Sequence, residues 1–290
     1  RFEGSEEAAR RELEKRVGHS QNKQGEARAP RYAFTRRRFW VDDKRNMSGD
    51  KVPGGRNVAG SRVELEDGVV LFQVDWPTLR MWYLVEEHLV YGVEVVPGAA
   101  HIAAAVEQCR ELQRGSEVVV LRNVEMRQIV VVEEKMTLQY VHREEGFEVR
   151  GLKDGSWVVH VVGEVERRAS VGELELRQQG EYERREETEG DEIAKLLDSR
   201  VGIKVGPSFH WLKQWQKEGD GTTVGWLEKP SEWTESRLFL PVEVVDTMFQ
   251  TGIVVVATGK LADKFYLPFS VGEIVVRTAG ERWSWEKSVV

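Results

Sequence analysis

A histidine and an aspartate that lie far apart in the chain have the surroundings that acid–base chemistry requires. His88 opens a segment in which histidine, Gly92 and Pro97 are spaced H-x-x-x-G-x-x-x-x-P. An alanine-rich stretch with helical periodicity follows, so His88 is predicted to lie beside a tight turn and a helix N-terminus. The segment therefore predicts a proton acceptor next to a place where negative charge can develop.

The partner acid is predicted on a second helix, which begins near Val242. Asp246 and Gln250 lie four residues apart, so they share one helical face, and the amide can hold the carboxyl group in place. Apolar neighbours such as Val245 and Phe249 indicate that this face is buried. Taken alone, the helix leaves an alternative open, in which the carboxylate only accepts backbone hydrogen bonds in the core.

The composition excludes several classes of protein. The 290 residues carry 49 acidic and 42 basic side chains, a formal net charge of −7, so no broad basic surface is available for nucleic acid. The single cysteine, Cys109, cannot form an internal disulfide or a C-x-x-C metal site. No apolar stretch approaches the ~20 residues of a membrane-spanning helix. We therefore expect a cytoplasmic protein that binds neither nucleic acid nor membranes.

Charge and hydrophobicity divide the chain into four predicted segments. Residues 1–60 are predicted to be a partly disordered linker and N-terminal strap, and charges crowd again in a second linker at 167–190. Two folded units are predicted at 61–166 and 191–290, each with antiparallel strands and one main helix. In the first unit the helix is expected at 98–113. Its strands are expected at 69–76, 117–121, 126–132, 136–141 and 157–165.

Five motifs, in this order along the chain, resemble those of the dehydratase domain of modular type I polyketide synthases. They are an F-x-R-x-R-[FY]-W strap at 34–40, the histidine motif at His88, a G-P-x-F turn at 206–209, the D-x-x-x-Q motif at Asp246 and a Y-L-P strand at 266–268. The resemblance implies an α+β double-hotdog fold, in which each hotdog unit wraps an antiparallel sheet around a central helix. The first unit would carry His88 and the second Asp246.

This resemblance implies a reaction and its participants. A dehydratase of this kind removes water from a 3-hydroxyacyl thioester on acyl carrier protein to give a 2,3-enoyl thioester. His88 would be the base and Asp246 the acid; in a second account one histidine moves the proton both ways and Asp246 only binds the departing hydroxyl. No metal or other cofactor is implied, because the phosphopantetheine arm of the carrier protein holds the substrate. The implied partners are the carrier protein, neighbouring synthase domains and a second copy in a homodimer.

Supporting roles are implied for further residues. Gln250 would orient Asp246, while Gly92, Pro97 and Gly98 would shape the turn and a helix start whose N–H groups stabilise an enolate-like oxygen. The pocket wall is assigned to Val205, Gly206, Pro207, Phe209 and Leu240. The family usually has tyrosine at the place of Val205 and histidine at that of Leu240. These departures concern the shape of the substrate rather than the two catalytic groups.

The other histidines receive structural interpretations. His101 is expected at the pocket rim or in packing, and His160 is expected to make a structural hydrogen bond. His210 is a candidate lining residue, whereas His19 and His142 are predicted to be exposed.

Two rival functions stay open at this stage. A bifunctional dehydratase/cyclase would use the same residues and then close a cyclic ether by oxa-Michael addition, and a catalytically silent scaffold would only organise neighbouring domains. Isomerase-type relatives are expected to lack the aspartate, and Asp246 is present.

Overall fold

The described part of the chain covers most of both predicted units. The computed structural model describes residues 60–76, 83–112, 117–133, 136–168, 190–217, 223–231, 238–258, 267–278 and 287–289. The strap motif at 34–40, His19, Tyr266 and all but the two ends of the linker predicted at 167–190 lie outside the described residues.

The described residues form antiparallel strands and four α-helices, with turns between them. The strands are β1 (Ser61–Glu64), β2 (Val70–Trp76), β3 (His88–Val90), β4 (Val93–Val96), β5 (Val118–Met126), β6 (Val130–Val131), β7 (Met136–His142), β8 (Gly146–Lys153), β9 (Ser156–Arg168), β10 (Ile203–Val205), β11 (Leu212–Lys217), β12 (Thr223–Glu228), β13 (Ser270–Arg277) and β14 (Lys287–Val289). The helices are α1 (Tyr83–Glu86), α2 (Gly98–Leu112), α3 (Gly190–Leu196) and α4 (Val242–Thr258). None of these helices is both long and apolar enough to span a membrane.

Three sheets enclose the two long helices. The largest has seven strands in the order β1-β2-β7-β8-β9-β5-β13, a second has four in the order β10-β3-β4-β6, and a third joins β11, β12 and β14. Two strands of the second unit pair with the first unit, because β13 extends the large sheet beside β5 and β10 pairs with β3. The units therefore share sheets instead of folding side by side.

Helix α2 lies at the centre of the first unit. Its residues Ala99, Ile102, Ala103, Ala105 and Val106 are at most 1% exposed, and they belong to one core with the inward-facing residues of the large sheet. Alanine suits this position because its small side chain lets the strands come close without loss of helix propensity. Helix α2 also contacts α4, so the two long helices meet inside the fold.

Both predicted main helices are confirmed, but some strands differ from expectation. β5 runs without a break to Met126, with a bulge between Arg122 and Glu125, so the strand predicted at 126–132 is wrong except for the short β6. β8 was not predicted, although it pairs with β9 along its whole length and with β7 over residues 147–151. Its glycines and charges weaken the strand pattern, and only pairing on both edges stabilises it. β9 continues to Arg168, beyond the predicted end at 165.

The prediction that His142 is exposed is wrong. His142 ends β7 and is 1% exposed, and its Nε2 lies 2.8 Å from the Gln108 side-chain oxygen on α2. The alternation of β7 turns this residue towards the helix, where the Gln108 oxygen is a hydrogen-bond partner for Nε2.

Candidate active site

A tight hairpin turn follows His88. β3 and β4 are joined by Tyr91 and Gly92, whose φ values are 52° and 73°. Two successive left-handed residues match the twist of paired strands, and glycine adopts this conformation without strain. The tight turn predicted at Gly92 is confirmed, and it directs β4 towards the start of α2.

Glu87, the residue before the histidine, links the two units. Its backbone oxygen accepts a hydrogen bond from the Gly206 N–H at 2.8 Å. Its carboxylate accepts from the Ser208 N–H at 2.7 Å and from the Ser208 hydroxyl at 3.1 Å. The pairing of β10 with β3 places Val205 opposite His88. The G-P-x-F turn therefore fixes the backbone at His88, a role for Glu87 that the sequence analysis missed.

The start of α2 lies at the same site. β4 ends at Val96, the helix begins at Gly98, and the Ala100 N–H donates to the Pro97 oxygen at 2.9 Å. A Cβ atom at Gly98 would lie 2.6 Å from the Met126 sulfur, so a larger residue here would displace the Met126 side chain. The first N–H groups of a helix have no intrahelical acceptor, and Gly98 borders the cavity described below.

Asp246 and Gln250 form the predicted pair on one face of α4. They are 6% and 4% exposed, and the Gln250 amide donates to Asp246 Oδ2 at 2.8 Å. The same amide nitrogen is 3.4 Å from the Phe209 backbone oxygen. Each of the two N–H groups of the amide thus has an acceptor, and the pair fixes the orientation of the carboxyl group.

The fold brings the histidine and the aspartate together from opposite units. His88 Nε2 and Asp246 Oδ1 are 3.5 Å apart, and both side chains are about nine-tenths buried. The Phe209 ring packs against the imidazole, with ring centroids 5.6 Å apart. His88 Nδ1 is enclosed and has no hydrogen-bond partner among the described residues.

The hydrogen bond from Gln250 distinguishes the two oxygens of Asp246. Since Oδ2 accepts the amide hydrogen, a proton on this carboxyl group belongs on Oδ1, the oxygen nearer to His88. In the protonated form of Asp246, the carboxyl hydrogen would therefore lie beside His88 Nε2.

Both groups line a cavity of about 350 Å3, a volume typical of small-molecule sites. Most of the lining is apolar and comes from both units. The lining residues are His88, Val90, Val95, Val96, Gly98, His101, Met126, Arg127, Gln128, Ile129, Val130, Val161, Leu197, Ile203, Asp246, Phe249, Gln250, Ile253, Leu267, Pro268 and Phe269. Three elements that the sequence analysis did not assign to the wall contribute to it: the segment after β5, the π-helical turn at Leu197–Val201, and residues 267–269.

The five residues assigned to the pocket wall do not line the cavity, and most of them contact His88 or its neighbours from outside it. Val205 pairs with His88 across the strands, and the Gly206 N–H donates to the Glu87 backbone oxygen. Pro207 begins the short 3-10 turn, and the Phe209 ring packs on the imidazole. Leu240 is buried just before α4. None of the five is among the lining residues of the described chain. Leu267 and Pro268, part of the Y-L-P motif, do line the cavity, as do Gly98, Gln250 and His101.

The remaining histidines have distinct surroundings. His101 is 3% exposed and lines the cavity, with Nδ1 3.1 Å from the Tyr140 hydroxyl oxygen. Burial, and next the nearby His160, lowers the pKa of His101 to about 3. His160 makes the predicted structural hydrogen bond, with Nδ1 3.3 Å from the Gln128 oxygen. His210 Nε2 lies 3.2 Å from the Val205 oxygen, and His210 is not a lining residue.

Comparison with protein families identifies both halves of the chain. Residues 58–162 match the family described as "Polyketide synthase dehydratase domain", and residues 179–290 match "Polyketide synthase dehydratase N-terminal domain". A curated relative, "Highly reducing polyketide synthase 17" of Metarhizium anisopliae, is 24% identical over 223 residues. That match covers 66% of this chain but only 7% of the length of the relative.

Solved structures share the fold. The dehydratase domain from the CurF module of curacin polyketide synthase is 25% identical, with a TM-score of 0.62, over 74% of this chain and 82% of that one. An inactive His-to-Phe mutant of CurK dehydratase is 22% identical, with a TM-score of 0.63, over 80% and 84% of the two chains. An inactive Asp-to-Asn mutant of CurK dehydratase is 21% identical, with a TM-score of 0.64, over 74% and 81%.

These neighbours confirm the α+β double-hotdog prediction. The two family matches follow one another along the chain and together span most of it, with the His88 motif in the first and the Asp246 motif in the second. The chain therefore belongs to the polyketide synthase dehydratase family.

Proposed function

We propose that this domain removes water from a 3-hydroxyacyl thioester on acyl carrier protein and releases a 2,3-enoyl thioester. The observation that carries the proposal is the distance of 3.5 Å between His88 Nε2 and Asp246 Oδ1 at the wall of a largely apolar cavity. A β-elimination needs one base at C2 and one acid at the C3 oxygen, and these two groups can serve both positions in one substrate.

In the first part of the reaction, His88 Nε2 takes the proton from C2. The electron pair of the C–H bond moves into the thioester and forms an enolate-like oxygen. The N–H groups at the start of α2, beside Gly98, are the donors we assign to this oxygen. One well-placed donor of this kind contributes about 3 to 4 kcal/mol to the stabilisation of the transition state.

In the second part, Asp246 protonates the leaving group. The hydrogen on Oδ1 passes to the C3 hydroxyl, the C3–O bond breaks, and water departs as the double bond forms. The products at the site are an imidazolium and a carboxylate, and the same 3.5 Å separation lets the proton return to Asp246 for the next turnover. Gln250 keeps Oδ2 occupied throughout, so the acid proton remains on the oxygen that faces the substrate.

The proposal extends to the way in which the substrate is held. Elimination from a thioester needs only an acid and a base, so we assign no metal or redox cofactor and place the substrate on the phosphopantetheine arm of the carrier protein. Neighbouring synthase domains and a second copy of this chain are the other proposed partners. Support for the residue roles comes from the inactive CurK variants, since a histidine is replaced in one and an aspartate in the other.

The test is an assay with carrier-bound 3-hydroxyacyl thioesters of several lengths and both C3 configurations, followed by intact mass spectrometry. We expect loss of one water, and a turnover number lowered about 10³-fold in the His88→Ala and Asp246→Asn variants. Asp198→Asn is the matched control, because Asp198 is exposed on the π-helical turn away from the cavity, and it should keep full activity.

Each other outcome of this assay has a defined meaning. Substantial turnover in Asp246→Asn together with an inactive His88→Ala would favour the account in which one histidine moves the proton. No turnover of any thioester by the unaltered protein would contradict the proposal and favour the silent scaffold. Chromatography of the products from substrates with a distal hydroxyl would separate an enoyl product from a cyclic ether of the same mass.

A further inference from the structure

The cavity has a second polar feature that the dehydration mechanism leaves unused. His101 lies on α2, is 3% exposed and lines the cavity, and the only hydrogen bond it makes within the described residues joins Nδ1 to the Tyr140 hydroxyl at 3.1 Å. His101 Nε2 therefore has no protein partner in the described chain. His88 Nδ1 is fully buried and has no partner, whereas His101 Nε2 is not fully buried. Because His101 lines the cavity, Nε2 is open to the cavity.

The buried tyrosine determines which nitrogen of His101 carries the hydrogen. Tyr140 is 0% exposed, and within the described residues its hydroxyl is hydrogen bonded only to His101. Burial raises the pKa of this hydroxyl, so the group keeps its proton. The proton has one acceptor, His101 Nδ1, and the opposite arrangement would leave a buried O–H donor unpaired. His101 therefore carries its hydrogen on Nε2 and presents an N–H donor to the cavity.

The charge of the ring narrows the kind of group that it binds. Burial, and next the nearby His160, lowers the pKa of His101 to about 3, so the ring is neutral at physiological pH. A neutral N–H donor in an apolar wall suits an uncharged acceptor such as an ether, carbonyl or hydroxyl oxygen. A plain hydrocarbon chain at the same place would cover the N–H and leave it without a partner.

We propose that His101 and Tyr140 form an oxygen-binding subsite, in which His101 Nε2–H donates a hydrogen bond to an oxygen on the acyl chain beyond C3. This inference rests on the proposed function, since that function assigns an acyl chain to the cavity. The subsite selects substrates that still carry an oxygen from an earlier round of chain extension over fully reduced chains.

The experiment compares matched pairs of 3-hydroxyacyl thioesters on carrier protein. In each pair one CH2 group is replaced by an ether oxygen, at successive positions beyond C4. An ether accepts a hydrogen bond but cannot add to the enoyl product, so cyclisation cannot disturb the comparison. For each pair we compare kcat/KM of the ether with kcat/KM of the hydrocarbon. At one position of the oxygen this ratio should be about tenfold higher than at the others, because one buried hydrogen bond has an effect of that size.

Variants of the subsite test its two residues. The preference should disappear in His101→Phe, fall in Tyr140→Phe and be partly restored in His101→Gln, whose amide supplies a new N–H donor. His142→Phe is the matched control, because His142 is equally buried, bonds to Gln108 and does not line the cavity. Loss of the preference in His142→Phe as well would overturn the proposal, since general loosening would then explain it.

Two measurements do not depend on turnover. Calorimetric titration of the unaltered domain with the same pairs as pantetheine thioesters should show tighter binding of one ether, and equal binding at every position would overturn the subsite. If one ether bound more tightly but no thioester were dehydrated, the result would support the subsite and contradict the proposed function. The 15N spectrum of labelled histidine should show the Nε2–H form of His101, and the Nδ1–H form would also overturn the proposal.

Discussion

Two histidines line one cavity, but the protein holds them in different ways. His101 bonds through Nδ1 to the Tyr140 hydroxyl, and both residues belong to the first unit. His88 Nδ1 has no partner among the described residues, and its Nε2 faces Asp246 of the second unit at 3.5 Å. The position of His88 also depends on contacts between the units, through Glu87 with Ser208 and through Phe209.

The difference reflects what each ring is proposed to do. A general base must gain and lose a proton in every turnover, so its reacting nitrogen, His88 Nε2, has to face the cavity and cannot be tied to a structural hydrogen-bond partner. A ring that only binds gains from a fixed tautomer, because the donor then needs no reorganisation when the ligand arrives. The polar partner that orients the reacting groups is instead placed on the acid, where Gln250 bonds to Asp246 Oδ2.

Replacing Gln250 with leucine should remove the hydrogen bond that orients the Asp246 carboxyl group. Without the amide, Asp246 can carry its proton on either oxygen and can turn away from His88, so we expect kcat to fall about hundredfold with little change in KM. Steady-state kinetics and the pH profile of kcat would measure this. An unchanged kcat would show that the Gln250–Asp246 hydrogen bond does not orient the acid.

Burial of the His101 ring should make the free energy of unfolding depend on pH below about 6.5. The pKa of this residue is about 3 in the folded protein and 6.5 as the ordinary value, so the unfolded chain takes up the proton first as pH falls. The stability that this ring contributes is complete above about pH 6.5 and is lost towards pH 3, at about 1.4 kcal/mol per pH unit.

Urea unfolding of the unaltered protein and of His101→Gln would measure this loss. Between pH 7 and pH 5 the free energy of unfolding of the unaltered protein should fall about 2 kcal/mol further than that of the variant. Equal pH dependence in the two proteins would contradict the assignment of a neutral, buried imidazole.

Changing Glu87 to glutamine should weaken the hydrogen bonds to Ser208 that hold the backbone at His88, with a smaller effect on stability than the titration of His101. The amide oxygen can still accept one hydrogen bond from Ser208, but the charge is lost, so we expect a loss of about 1 kcal/mol in the free energy of unfolding. Because the turn at 206–209 backs His88, kcat should also fall severalfold with KM unchanged.

The neighbouring Glu86→Gln is the matched control for this change. Glu86 is exposed at the end of α1, directly before Glu87, and its replacement should leave both stability and kcat as they are. Equal effects of the two substitutions would show that the carboxylate of Glu87 has no special role.

Local patterns predicted the elements that lie within one stretch of chain. The helix at 98–113 is confirmed as α2, because its apolar residues recur at helical spacing and it begins at Gly98, directly after Pro97. The pairing of Asp246 with Gln250 is confirmed for the same reason, since residues four apart share a helical face. β8 escaped prediction because its stability comes from strands on both sides and not from its own composition.

The sequence by itself determined which residues are candidates for the chemistry, since the two motifs, their spacing and their helix starts are local properties of the chain. Only the tertiary structure decided that Val205 and Leu240 do not line the cavity, that His101 faces it and that His142 is buried. The place of Val205 depends on the pairing of β10 with β3 between the units, and the burial of His142 depends on the packing of β7 against α2. Such pairings join residues far apart in the chain, and no local periodicity encodes them.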